Sequence, residues 1–501
     1  MSLDEALPMA GPAAPDRDGG NVRRGGTIGA LAGLWARQGK YVKIGLVSLG
    51  LMTLGAIISV MIVKLGFDQD DNNITIRTTT PSASPTISIW KQQGVAIVGD
   101  AADDLLGNSV AVSADASTIV VGARGNHEND SKTGYVKVYR TIDDSGNMVQ
   151  LGQTIYGDVT GDQFGWSVDI AANENTIVIG SPGYWDVDDR PGYMRVFSLD
   201  NDDDIGTNTW KQIGQDIIGE EDGDDFGWSV SISGDSKTIA VGADEYDGEN
   251  GIDSGLVRVY RMDDSQSDWI QIGNDIEGEA AGDWLGSSVS LPADGNKVAI
   301  GSAGSDDNGD FSGHVIVYQM NSARSSWEQL GQTLYGDNAD DFSGWSVDLS
   351  PDGKTLAIGS PGSSDGGDRP GYVRVFSLKV SGNNSGTSSW EQIGLDIFGE
   401  AKGDLFGMTV SLSNDGRTIA IGATNNDGED GVDSGHVRVY RMDDSKSDWV
   451  QIGDDIDGDA PYDTSGTSVS LSADGDTVAI GSDWNDENGA EAGHVQVYIL
   501  E

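Results

Sequence analysis

The sequence has no cysteine and only 4 histidines in 501 residues. Disulfides, thiolate nucleophiles and cysteine-ligated zinc or iron–sulfur centres are therefore excluded. Basic side chains are few, 30 against 81 acidic, for a net charge of −51. A field of that sign repels nucleic acid and favours cations or basic partners. Catalytic patterns are scarce too. No Ser-His-Asp set or His-x-x-x-His pair stands out, and His314, His436 and His494 share one Gly-His-Val position, which reads as packing. Carboxylates are too abundant to single out a glycosidase dyad, so no enzymatic activity is expected.

Long apolar runs are nearly absent, with one exception. Residues 44–63 (IGLVSLGLMTLGAIISVMIV) carry no charge and lie between Lys43 and Lys64. As a helix rising ~1.5 Å per residue, this stretch crosses a hydrocarbon core of about 30 Å. Arg23, Arg24, Arg37, Lys40 and Lys43 precede it, and Asp68, Asp70 and Asp71 follow. The positive-inside rule makes 44–63 a transmembrane signal-anchor of a single-pass type II protein. Residues 1–43 are then a basic cytoplasmic tail, and everything after about 65 lies outside the cell or in a lumen. The run starts too late, and is too long, for a cleaved signal peptide. Residues 64–87, rich in Thr, Ser and Pro, read as an extended stalk. Asn73, Asn129 and Asn383 each open an N-x-S/T sequon, the acceptor for N-glycosylation on the outer side.

Glycine is plentiful, 72 residues, and so is repetition. A W-x-Q-[IL]-G motif starts at Trp90, Met148, Trp210, Trp269, Trp327, Trp390 and Trp449, with Met148 replacing the tryptophan once. The spacings are 58 to 63 residues, and copies two to four recur in copies five to seven at an offset of 179 to 180. Each copy holds four strand-like runs. In the third they are 210–218, 227–233, 238–242 and 255–260, rich in β-branched and aromatic residues. Asp-Gly turns at 350–355 and 413–418 supply the positive φ of tight hairpins. Seven such units predict an all-β, seven-bladed propeller over 88–501. The last copy has no following W-x-Q strand, so the strand at 88–98 is expected to complete it and seal the ring.

The units resemble FG-GAP repeats, the building block of integrin α-subunit propellers. The Phe-Gly pair stands at Phe164-Gly165, Phe226-Gly227 and Phe406-Gly407, and the Gly-Ala-Pro position reads Gly180-Ser181-Pro182 and Gly359-Ser360-Pro361. The resemblance covers about 90 to 500 and implies a membrane-anchored binding or adhesion ectodomain. It departs from the family where integrin-type repeats carry a long Asp-rich calcium loop. Here that link is a short Ser-x-Asp-Gly-x-Thr turn with one carboxylate, such as Asp352 or Asp415, which cannot wrap a calcium ion.

Two loop sets share one face of such a propeller. Entry loops lead from an outermost strand into the next innermost strand, and middle loops join the second and third strands. Every entry loop reads G-[DE]-x-x-x-D-x-x-G. Its first acid is Asp100, Asp158, Glu220, Glu279, Asp337, Glu400 or Asp459, and its second is Asp104, Asp162, Asp224, Asp283, Asp341, Asp404 or Asp463. The second acid has two readings: an acceptor that fixes the turn, or one of a ring of carboxylates on a partner-binding face. Tyr184, Trp185, Tyr246 and Trp484 lie in middle loops and suit contact with a partner. Asp247, Glu249 and Asp253, with Asp427, Glu429 and Asp433, gather oxygens in two other middle loops. They make Ca²⁺ the one cofactor suggested, without EF-hand spacing. The partners expected are the membrane and an extracellular protein, glycan or cationic polymer. A cation- or matrix-binding structural role and a glycan-processing enzyme are the alternatives.

Overall fold

A computed structural model describes residues 88–501 except 126–132, 144–145, 184–189, 203–206, 266, 363–368, 381–387, 429–430, 444 and 446. These residues belong to the second of two units, Pro81–Glu501; the first, Met1–Thr80, lies outside the described residues. So do the expected tail, transmembrane segment and stalk, together with Asn73, Asn129 and Asn383. Among the described residues no helix is long and apolar enough to cross a membrane.

Seven antiparallel sheets form a seven-bladed propeller. Blade three shows the pattern. Ser229–Ile232 is innermost, followed by Thr238–Ala243, Leu256–Met262 and an outer strand in two pieces, Trp269–Gln271 and Ile276–Glu277. The innermost strands are Leu106–Val112, Ser167–Ile170, Ser229–Ile232, Leu285–Ser290, Ser346–Leu349, Phe406–Leu412 and Ser468–Leu471. Each packs against the next, and the last against the first, so the ring closes. Closure uses the strand expected for it: Trp90, Lys91 and Gln92 pair with Leu500, Ile499 and Tyr498.

The sequence suggested one continuous outer strand per blade; the structure breaks it in two. The cause lies in the neighbouring blade. Gly273 sits at φ +75, and a Cβ there would stand 2.7 Å from the Trp327 ring of the next blade. The Trp327 indole N–H donates to the Ile272 carbonyl at 3.1 Å. Trp210, Trp269, Trp390, Trp449 and Trp90 repeat this staple on Leu151, Ile213, Leu330, Ile393 and Ile452. Met148 cannot, so the join between blades seven and one lacks it.

The Phe-Gly and Gly-Ala/Ser motifs meet across blades. A Cβ on Gly242 would lie 2.1 Å from the Gly286 carbonyl oxygen, so only glycine permits that approach. The phenylalanines anchor the inter-blade cores; Phe164, Phe226 and Phe406 are buried. The innermost strands have a free edge toward the axis, and its N–H groups need acceptors. Six of the seven blades supply one to the next at a single position, which in blade one is Ala111: Ser231 Oγ accepts from Leu291, Ser290 from Leu349, Ser411 from Leu471 and Ser470 from Val112. Asp169 and Asp348 fill the same position, accepting from Ile232 and Leu412. Burial pushes both carboxyls up to about 6.

Candidate functional site

The seven recurring second acids are buried. Asp341 is typical. Its Oδ2 accepts from the Asp337 N–H at 3.0 Å, the Asn338 N–H at 2.9 Å and the Tyr372 hydroxyl at 3.0 Å. Its Oδ1 accepts from Arg369 at 3.0 Å. Asp104 and Asp162 take equivalent backbone and tyrosine bonds from Asp100, Ala101 and Tyr135, and from Asp158, Val159 and Tyr193. Asp283 accepts from Glu279 and Ala280, and Asp224 from Glu221. Asp404 and Asp463 accept from Ala401 and Ala460 and from Asn426 and Asn485. Such carboxylates hold the entry loops and do not face a partner. This corrects their placement on a binding surface: burial removes all seven from it.

The first acids are the exposed ones, but most are neutralised. A cation on the third strand reaches back to them: Lys137 to Asp100, Arg195 to Asp158, Arg258 to Glu220, Arg374 to Asp337 and Arg438 to Glu400. At the same position Gln496 meets Asp459, and Ile316 leaves Glu279 without such a cation. The acidic rim is therefore strongest at blades four and seven.

The residue after each buried Asp has a different character. Leu105, Gln163, Asp225, Trp284, Phe342, Leu405 and Thr464 all adopt left-handed φ between +49 and +57. Glycine would adopt that conformation without strain, yet none of the seven is glycine. A side chain is retained there against a backbone cost. These residues start the innermost strands, at the mouth of the central channel. Trp284, Phe311, Phe342 and Trp345 form a run of rings with successive centroids 5.5, 5.4 and 6.4 Å apart. Trp166 and Trp228, from adjacent blades, lie 4.5 Å apart, and the Arg124 guanidinium sits 4.8 Å over Trp166. Asp225 and Asp244 are both buried near this mouth. Burial, then Glu245 and Asp224, pushes Asp225 up to about 8. Burial and Asp225 push Asp244 well above the carboxylate range, and its Oδ1 has no hydrogen-bond partner. Blade six, the duplicate, has Leu405, Thr424 and Asn425 where blade three has Asp225, Asp244 and Glu245.

Sequence reasoning pointed to the mouth of the axial channel through the recurring acids but missed the side chains that line it. The signal was available: in an otherwise faithful repeat, the positions after the buried Asp and after Gly-Ala/Ser change chemistry from blade to blade.

The middle-loop acids shape their own loops. Asp247 accepts from the Asp253 N–H at 2.9 Å, and Asp427 from the Asp433 N–H at 3.1 Å. Asp253 and Asp433 are themselves left-handed. Glu249 is exposed, and Glu429 lies outside the described residues. Among the described residues neither loop gathers three carboxylates around one point. The group that does converge is His436, Asp455 and Asp457. It opens into a cavity of about 710 Å³, also lined by Asp427 and Glu400. Tyr246 packs against the blade-three core, whereas Trp484 is 40% exposed. Tyr184 and Trp185 lie outside the described residues. His314, His436 and His494 are all buried at the start of their third strands, and burial lowers all three.

The FG-GAP repeat family matches residues 219–260 and 399–440. The chain carries FG-GAP repeats. The two matched segments are the duplicated units of blades three and six, and each spans a Phe-Gly pair and the Gly-Ala that closes on the following blade. No curated protein matches the sequence. Among solved structures, a periplasmic gluconolactonase of Pseudomonas aeruginosa is 16% identical with a TM-score of 0.43, over 71% of this chain and 86% of that one. Raptor of Chaetomium thermophilum is 10% identical with a TM-score of 0.50, over 83% of this chain. The match spans 29% of Raptor, and at that identity it speaks to fold alone.

Proposed function

We propose that this protein is a membrane-anchored recognition ectodomain that docks its ligand at the channel mouth on the entry-loop face. The anchor is the apolar segment 44–63, with the basic tail in the cytoplasm and the FG-GAP propeller at the cell surface. The observation that carries the ligand site is the set of seven left-handed, non-glycine residues, two of which hold Trp284 and Phe342 in the aromatic run. Flat rings beside carboxylates suit a glycan, whose C–H faces stack on aromatics while its hydroxyls donate to acids. An extracellular protein presenting basic side chains is the second class, favoured by Glu279 and Asp459, which have no third-strand cation opposite them. The aromatic run is what supports a binding or adhesion reading.

A glycan array probed with the full chain and with Trp284→Ala and Phe342→Ala tests it. Binding lost in both variants, with melting temperature kept, is the expected result. Binding that survives both would place the ligand elsewhere. A salt series separates the two classes, because a charge-driven protein contact weakens steeply with ionic strength and stacking does not.

A further inference from the structure

Away from the channel mouth, blade six holds a side-chain cluster with no part in that reading. His436 begins the third strand and lies directly across from Asp457 on the outer strand. Its Nδ1 is 4.0 Å from Asp455 Oδ2 and 4.0 Å from Asp457 Oδ1. The imidazole is only 1% exposed, and its Nε2 is buried with no hydrogen-bond partner. The nitrogen that faces the two carboxylates is Nδ1, at a distance too long for a direct hydrogen bond but short enough for an ion to bridge.

The carboxylates are oriented. Arg438 grips Asp455 with two bonds, Nε to Oδ1 at 3.0 Å and Nη2 to Oδ2 at 2.6 Å. Gln451 adds a third at 2.6 Å to Oδ1. Such outer bonds fix a ligand's direction and leave lone pairs for an ion. Arg438 carries the one guanidinium in the cluster and also pairs with Glu400. Asp427, Asp455, Asp457 and Glu400 around the same cavity outweigh its charge.

We infer that His436, Asp455 and Asp457 form a binding site for a first-row divalent transition ion of the zinc class, with water completing the shell. One imidazole nitrogen with carboxylate oxygens suits such an ion, whereas Ca²⁺ and Mg²⁺ prefer oxygen alone. Bonds of about 2.0–2.2 Å set tetrahedral ligand atoms roughly 3.4 Å apart. The two histidine–carboxylate distances close from 4.0 Å by about half an ångström each, and the three ligand atoms, all within 4.8 Å of one another, draw together by at most about 1.4 Å through movement of the partly exposed carboxylates.

The chain contains its own control. Blade three keeps Arg258, Asp275, Glu277 and Glu220 at the matching positions, but Leu256 replaces the histidine and pairs with Glu277. The fold therefore accepts leucine there.

The test titrates Zn²⁺ calorimetrically into the full chain, stripped by chelator and held in excess Mg²⁺ to occupy exposed carboxylates. One saturable Zn²⁺ per chain is expected, with affinity reduced at least ~10-fold by His436→Leu. Circular dichroism and melting temperature verify that the variant folds. A second ion per chain in Leu256→His would support the assignment independently. Equal zinc stoichiometry and affinity in the parent chain and His436→Leu would overturn it, whatever the ligand of the channel mouth proves to be.

Discussion

Asp225 offers a quantitative test of how the channel mouth is built. It is 5% exposed, beside Asp244, and carries a pKa raised from 3.8 to about 8 by burial, Glu245 and Asp224. A carboxyl with a raised folded pKa helps folding only while protonated. Its contribution is full below about pH 4 and is lost as the pH rises toward 8. At pH 7 the penalty spans about three units, or ~4 kcal/mol at 1.36 kcal/mol per unit. Relaxation of the surroundings reduces this to about 2–4 kcal/mol. Asp225→Asn keeps the shape and removes the ionisation. Unfolding the 414 residues from 88 to 501 releases roughly 0.9 kcal/mol/K of entropy, by the usual per-residue scale. The substitution should therefore raise the melting temperature by about 2–4 °C at pH 7 and change it little at pH 4. Scanning calorimetry in chelator at both values reads this directly. A variant that melts at or below the parent at pH 7 would refute the reasoning, since the charge would then be stabilising.

Other outcomes follow from the inter-blade contacts. Gly273→Ala, which drives a Cβ into the Trp327 ring, should cost about 1–3 kcal/mol. Gly282→Ala has φ +78 but nothing within 4 Å, so its smaller loss isolates the backbone part; thermal melts of both decide it. Asp341→Ala strands the Asp337 and Asn338 N–H groups and the Tyr372 hydroxyl, and should cost about 3–5 kcal/mol by urea unfolding. Asp348, pushed up to about 6, makes the parent less stable as pH rises from 4 to 6; Asp348→Asn should flatten that slope in melts taken across the range.

The sequence by itself determined the number of blades, their phase and the way the ring closes. Those features are written locally: alternating V-x-V-Y runs, Asp-Gly turns, and a W-x-Q-x-G motif whose leftover first copy had to pair with the chain's last strand. It also raised the correct alternative for Asp104 and its six equivalents, since an acid repeated at one loop position suits a turn acceptor. It could not choose between that acceptor and a surface ring, because burial depends on the neighbouring third strand and on Tyr135, Tyr193 or Tyr372 arriving from some 31 residues away. Only the tertiary structure decided the rest. The split outer strand follows from a tryptophan one blade further on, and neutralisation of the entry-loop acids from Arg195, Arg258, Arg374 and Arg438 reaching back along the sheet. The aromatic run joins Trp284 to Phe311, Phe342 and Trp345, and His436 meets Asp455 and Asp457 only across paired strands. In a propeller the chemistry lies between strands and between blades. A motif read along the chain specifies each blade's frame, and the packing of frame on frame determines which side chains converge.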